Sequence, residues 1–161
     1  MAHKGLLLTM TEPPAAMEEE FNAWYDDEHM AERLAIPGFR SAQRWVTDCP
    51  PGEGKYLATY ELDSKAVLES PGYLARFQNQ TPWSKRCLGK AVVFKRWACE
   101  QLGDADPHPA AKAVVLAFDG RALSLPGTLQ IRKFAATSGE SITLYELAEA
   151  TSSRAYRLYQ P

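Results

Sequence analysis

The sequence predicts an α+β fold, and three observations lead to it. Strand-like runs are set apart by Gly and Pro, helical stretches fall between them, and the second half echoes strands of the first. Four strands are expected over residues 4–11, 39–46, 55–62 and 91–99, from their β-branched and aromatic content. A helix is expected over 17–34 and a weaker one over 64–77. The order β-α-β-β-α-β is that of a ferredoxin-like unit, which covers one sheet face with two helices and leaves the other face in need of a partner.

The segment "GDADPHPAAK", residues 103–112, reads as a linker after a first unit over 4–102. Residues 113–161 then read as a truncated copy of the form βββα, with strands over 113–118, 128–134 and 141–147 and a short helix over 152–159. "LAIPGFRSAQRW" (34–45) lines up with "LSLPGTLQIRKF" (123–134), and "LATYEL" (57–62) with "ITLYEL" (142–147). Only "DGRALS" separates Phe118 from Leu125, so the copy has no counterpart of the first helix. Chemistry carried on that helix would occur once per chain.

With 161 residues, 45% hydrophobic and 24% charged, the chain suits one globular core. A formal net charge of -2 supplies no electrostatic drive towards nucleic acid or an anionic membrane. The run "GLLLTM" is too short to span a bilayer and is followed by acidic residues, so a soluble cytoplasmic protein is expected. Cys49, Cys87 and Cys99 show neither metal-ligand spacing nor an even count, and are expected as free thiols with no metal site.

The stretch "FNAWYDDEHMAERLAIPGF" (21–39) carries the functional question. Prolines 13 and 14 and the acidic residues Glu18, Glu19 and Glu20 mark the helix start, and Pro37-Gly38 its end. At helical spacing Met17, Phe21, Trp24, Ala31 and Ala35 form one stripe, with Glu28 within about 20° of its centre. Tyr25, His29 and Glu32 follow on the adjoining edge, while Asp26, Asp27 and Arg33 point elsewhere. A carboxylate drawn towards the core has its pKa raised, and a histidine titrates near neutrality, so Glu28 and His29 together suit proton transfer without a metal or organic cofactor. The same residues also fit a plain ion pair from Glu28 to Arg40 or Arg44 and a helix-end hydrogen bond from His29. Asp26, Glu28 and His29 fan out around the axis, which argues against a metal site.

The strand before this helix, "WYDDEH" on it, "PGF" after it and a strand ending "RW" together resemble the EthD-like branch of the dimeric α+β barrel superfamily, over roughly residues 4–100. The resemblance implies two ferredoxin-like sheets closed into a barrel, of seven strands given the short second half, with a small molecule bound in its lumen; no haem-ligand signature is recognisable in the sequence. It also places the family's recurrent histidine at His29, and leaves room for a homodimer through the uncovered sheet. The function implied is that of a cofactor-independent enzyme of isomerase, lyase or monooxygenase type acting on an aromatic, quinone-like or lactone metabolite; the alternative is a non-catalytic metabolite-binding or accessory protein of an operon. His29 would be the catalytic acid or base, Glu28 would orient it, and Tyr25 would complete the group. Alternation in the second strand sets Phe39, Ser41, Gln43 and Trp45 on one face, and Tyr60 shares a face with Tyr56 and Ala58. Trp24, Gln43, Trp45 and Tyr60 are therefore expected to bind substrate.

Residues 70–99 hold no acidic residue, while Arg76, Lys85, Arg86, Lys90, Lys95 and Arg96 all occur. Either this stretch lies beside the acidic first helix, or Arg86 beside Trp83 binds an anionic substrate group. The strand "AVVFKRWAC" lacks the Gly-aromatic pattern of an RNA-recognition motif.

Overall fold

The computed structural model describes residues 3–150 and 155–161. Strand β1 (Gly5–Glu12) leads through a 3₁₀ turn (Ala15–Met17) into α1 (Glu18–Trp24), a π-helical turn (Tyr25–His29) and α2 (Met30–Leu34). After β2 (Phe39–Val46) and β3 (Tyr56–Leu62) come a 3₁₀ turn (Lys65–Glu69), α3 (Pro71–Gln78), α4 (Pro82–Lys90) and β4 (Val93–Gln101). The second half is β5 (Ala113–Phe118), β6 (Thr128–Ala136), β7 (Ser141–Leu147) and β8 (Tyr156–Leu158).

The weaker helix expected over 64–77 is thus two pieces, the 3₁₀ turn and α3, and α4 is a further helix beyond it. Its ends are chemically marked: Ser70 Oγ accepts from the Tyr73 amide ahead of Pro71, and Thr81 Oγ1 accepts from the Ser84 amide ahead of Pro82. The expected helix over 152–159 is corrected: Tyr156–Leu158 is a strand, and residues 151–154 lie outside the described residues. β8 pairs with β2 on one side and β5 on the other. The barrel therefore has eight strands and not seven.

The strands close in the order β1-β3-β2-β8-β5-β7-β6-β4, every pairing antiparallel. The first four strands read β4-β1-β3-β2 across their half and the last four read β8-β5-β7-β6, the same relative order. Register shifts fall between Phe39 and Ser41 in β2 and between Thr128 and Gln130 in β6, at positions that the two sequence segments align. The first shift corrects the expected alternation: it turns Phe39 to the helix side with Ala42 and Val46, while Ser41, Gln43 and Trp45 line the lumen.

Two buried layers result. Leu6, Leu8, Trp45, Leu57, Phe134 and Leu144 belong to the core inside the barrel, to which all eight strands contribute. Leu7, Phe21, Trp24, Tyr56, Tyr60 and Leu62 form a second core between the helices and the outer face of the first half. Fully burying a side chain of the size of Phe21 contributes about 1.5–3 kcal/mol. The sheet face expected to await a second copy is the inner wall of the barrel, covered within one chain. Gly38 turns the chain from α2 into β2 with φ +97°, and a Cβ there would lie 2.5 Å from Val67, so the tight connection requires glycine. Among the described residues no helix is long and apolar enough to cross a membrane.

Candidate functional site

The π-helical turn determines which side chains of the first helix meet the sheet. The Met30 amide donates to the Tyr25 carbonyl, five residues back instead of four. Positions five apart then align, and the rings of Trp24 and His29 stack with centroids 4.3 Å apart and planes at 26°. Tyr25 stands edge-on to His29 at 5.0 Å and 89°. All three rings are buried, His29 with 7% of its surface exposed.

This reverses the order expected within the cluster. His29 takes the buried position, and Glu28 is half-buried and turned sideways. The Glu28 carboxylate accepts from Thr81 Oγ1 (2.7 Å) and Trp24 Nε1 (3.1 Å), with Ser84 Oγ at 3.4 Å. It fastens the first helix to the capped start of α4 and does not hydrogen-bond to His29. Nor does it reach Arg40 or Arg44, which lie beside Asp63 and Asp26. Glu28→Ala is accordingly expected to lower the unfolding free energy by about 1 kcal/mol, by removing the charged acceptor that Trp24 Nε1 and Thr81 Oγ1 share and leaving both to Ser84 Oγ at 3.1 Å, without moving the His29 titration. Urea unfolding together with the histidine NMR titration checks this; an altered His29 pKa would contradict it.

His29 faces a cleft of about 90 Å³ between helix and sheet, shared with Thr9, Tyr25, Arg33, Tyr60 and Tyr73. Burial first, then the positive charges of Arg33 and Arg44, hold the imidazole pKa well below its usual value. The ring is therefore neutral at neutral pH, and it makes no hydrogen bond to another side chain among the described residues. Three polar atoms of the cleft residues are buried without a partner among the described residues: Thr9 Oγ1, Arg33 Nε and Tyr60 Oη. The Tyr60 phenol is pushed well above its usual pKa by burial and then by neighbouring Tyr25, whose hydroxyl lies close without hydrogen-bond geometry to it. Arg33 has no ion pair among the described residues and lies over the Tyr73 ring at 5.2 Å, where helix spacing alone had pointed it elsewhere. Phe77 and Phe94, each about half exposed, and Arg96 complete the cleft.

The remaining expected site residues divide among other places. Trp24 supports His29 from behind, and Tyr60 lines the cleft on the face shared with Tyr56 and Ala58. Gln43 and Trp45 lie on the far side of the sheet, in the lumen. Trp83 packs against the helix-side core, and exposed Arg86 pairs with Glu20 at 2.8 Å. With the Arg76–Glu32 pair at 2.6 Å, this sets Arg76 and Arg86 against the acidic first helix, while Arg96 of the same stretch lines the cleft. Sequence reasoning missed Thr9, Arg33, Tyr73 and Arg96. Arg33 was the accessible one, four residues from His29 on one helix edge.

The lumen also holds a polar group that sequence reasoning missed. Arg132 donates to both oxygens of Glu61 (2.8 and 3.1 Å) and to Glu146 (3.2 Å). Glu146 also accepts from the His108 amide and Gln130 Nε2. Burial works to lower the Arg132 pKa, and the two carboxylates more than offset it. The recurrence of "YEL" in both halves was the available signal.

No family model matches the chain. Over 80 residues it is 29% identical to Core atranone cluster (CAC) protein 1 of Stachybotrys chlorohalonatus (strain IBT 40285), covering 48% of this chain and 34% of that protein. The chain thus spans about a third of the length of that curated relative. A solved anthrone oxidase-like protein superposes with a TM-score of 0.67 at 10% identity, covering 99% of this chain and 92% of that one. A candidate monooxygenase from Fusobacterium nucleatum subsp. nucleatum ATCC 25586 superposes with a TM-score of 0.55 at 8% identity, covering 92% and 77%. The chain shares the α+β barrel fold of these solved proteins.

Proposed function

We propose that this chain is a cofactor-independent enzyme that binds an aromatic, quinone-like or lactone metabolite in the helix–sheet cleft, with His29 accepting a proton from it. The observation that carries this reading is the state of His29: buried, neutral, with no side-chain hydrogen bond among the described residues, and facing the cleft beside Arg33, a cation with no ion pair among those residues. A structural histidine at that depth would normally have its ring nitrogens satisfied.

Removal of a proton from an acidic C–H or O–H is a step common to isomerase, lyase and monooxygenase chemistry. When it occurs here, the ligand becomes an anion and His29 an imidazolium, so the total charge of the cleft is unchanged. Arg33, and Arg44 behind Tyr25, favour the anion, and the anion in turn offsets the effects that keep His29 neutral beforehand. Tyr73, Phe77 and Phe94 supply an aromatic wall for a flat ligand. The name of one solved neighbour, an anthrone oxidase-like protein, is in keeping with an aromatic substrate, and that of the other, a candidate monooxygenase, with an enzyme.

We further read the chain as an internal duplication, units 4–102 and 113–161 joined by 103–112, within the EthD-like branch; the matching strand order and the aligned bulges support the duplication. A homodimer would have to use outer strands, where Leu129 and Ile131 are exposed, since the inner sheet face is already covered.

A panel of hydroxylated aromatic, quinone and lactone compounds incubated with the protein tests the assignment. Conversion of a bound compound over time is expected. A compound that binds in the cleft and is recovered intact under air would instead identify a non-catalytic binding protein.

A further inference from the structure

The lumen contains a second cavity, of about 230 Å³, which shares no lining residue with the His29 cleft. Its apolar wall is formed by Trp45, Val114, Leu144 and Leu158. Its polar part is the Glu61–Arg132–Glu146 group, whose members are 8%, 3% and 2% exposed. The segment 103–112 closes one side with Pro107, His108 and Pro109.

The formal charges of this group do not balance. Two carboxylates share one guanidinium, and Arg132 is the sole lysine or arginine among the residues lining the cavity. An uncompensated charge so deeply enclosed is costly.

Strand correspondence shows where the imbalance arises. In the second half Arg132 stands opposite Leu144 while Gln130 stands opposite Glu146. In the first half Gln43 stands opposite Thr59 while Ser41 stands opposite Glu61. Gln43 is therefore to Glu61 what Arg132 is to Glu146. The two halves supply two carboxylates, but only one supplies a guanidinium. The corresponding place holds a neutral, exposed amide on the cavity wall.

We propose that the lumen is a second small-molecule site that takes an organic ammonium ion on a small apolar body. Its cation occupies the place between Gln43 and Glu61 where the second guanidinium would lie. The body packs along Trp45, whose ring is fixed by the Nε1 hydrogen bond to Thr59 Oγ1 at 3.1 Å. A buried ammonium beside Glu61 offsets the surplus negative charge, whereas an anionic ligand adds to it. The two cavities thus differ in sign: the His29 cleft favours anions, the lumen cations.

Calorimetric titration of the full chain with benzylamine, benzyl alcohol and benzoate tests this. Benzylamine is expected to bind about ten-fold or more tightly than benzyl alcohol, and benzoate, an anion that the His29 cleft can hold, is expected not to compete with benzylamine. Gln43→Arg supplies the missing guanidinium; this variant is expected to fold, to melt at a higher temperature than wild type, and to lose benzylamine binding by about ten-fold or more. His29→Ala is expected to leave benzylamine binding unchanged, which separates this site from the cleft. Displacement of benzylamine by benzoate, absence of benzylamine binding, its persistence in Gln43→Arg, or its loss in His29→Ala would each overturn the proposal.

Discussion

Replacing Arg132 by alanine is expected to lower the unfolding free energy by about 3–5 kcal/mol, the largest effect of any single polar substitution in this chain. The guanidinium is 3% exposed and donates to Glu61 and Glu146 from inside the barrel. Without it two carboxylates face each other in an enclosed space, repelling one another and poorly solvated. Much of the loss should return in the triple variant Arg132→Met, Glu61→Gln, Glu146→Gln, which removes the charges together. The comparison separates the penalty of an unpaired charge from the net value of the group. Urea midpoints at constant m-value measure it. A loss under about 1 kcal/mol for Arg132→Ala would show that water already solvates these carboxylates.

The second large effect concerns His29. On a substrate that is turned over, His29→Ala is expected to reduce kcat/KM by about a hundred- to ten-thousand-fold, the usual range for loss of a positioned general base. Stability carries an independent signature. The folded imidazole pKa is depressed while the unfolded one is ordinary, so below the unfolded value the unfolded chain binds the extra proton. Stability is then complete above about pH 6.5 and falls as pH drops from there towards the depressed folded value, by up to about 1.4 kcal/mol per pH unit. In His29→Phe that slope should disappear. Because the base stays neutral, kcat/KM should also remain flat well below pH 6.5. Turnover unaffected by His29→Ala would remove the catalytic role, even if the stability slope were found.

Much of the architecture was legible along the chain. The bounds of β2, β5 and β7 coincide with the expected strands, because alternation and flanking Gly and Pro are local properties. α4 was missed although Thr81-Pro82 marks a helix start, because a run rich in Lys and Arg offers little apolar periodicity. β8 was not: three residues carry no period, and their strand exists because β2 and β5 offer edges on either side.

The candidate site was legible in its residues and illegible in its geometry. His29 and Tyr25 stand out in "WYDDEH", and the cleft contains both. Regular helical spacing placed Glu28 at the core and His29 at the edge. The π-helical turn exchanges them, and no Gly or Pro within 25–29 announces it. One widened turn lets Trp24, Tyr25 and His29 all pack towards the sheet, a gain in aromatic burial that offsets a less regular hydrogen bond.

By itself, then, the sequence determined the alternation of strands and helices, the repeated strand motifs, and the residue types available for proton transfer, since each is set by spacing along a short stretch of chain. The tertiary structure decided that the barrel closes with an eighth strand, that His29 and not Glu28 faces the cleft, and that Arg132 meets Glu61 from 71 positions away along the chain. Those outcomes depend on pairing between distant segments and on the cost of leaving charge and polar atoms buried, which no local period encodes.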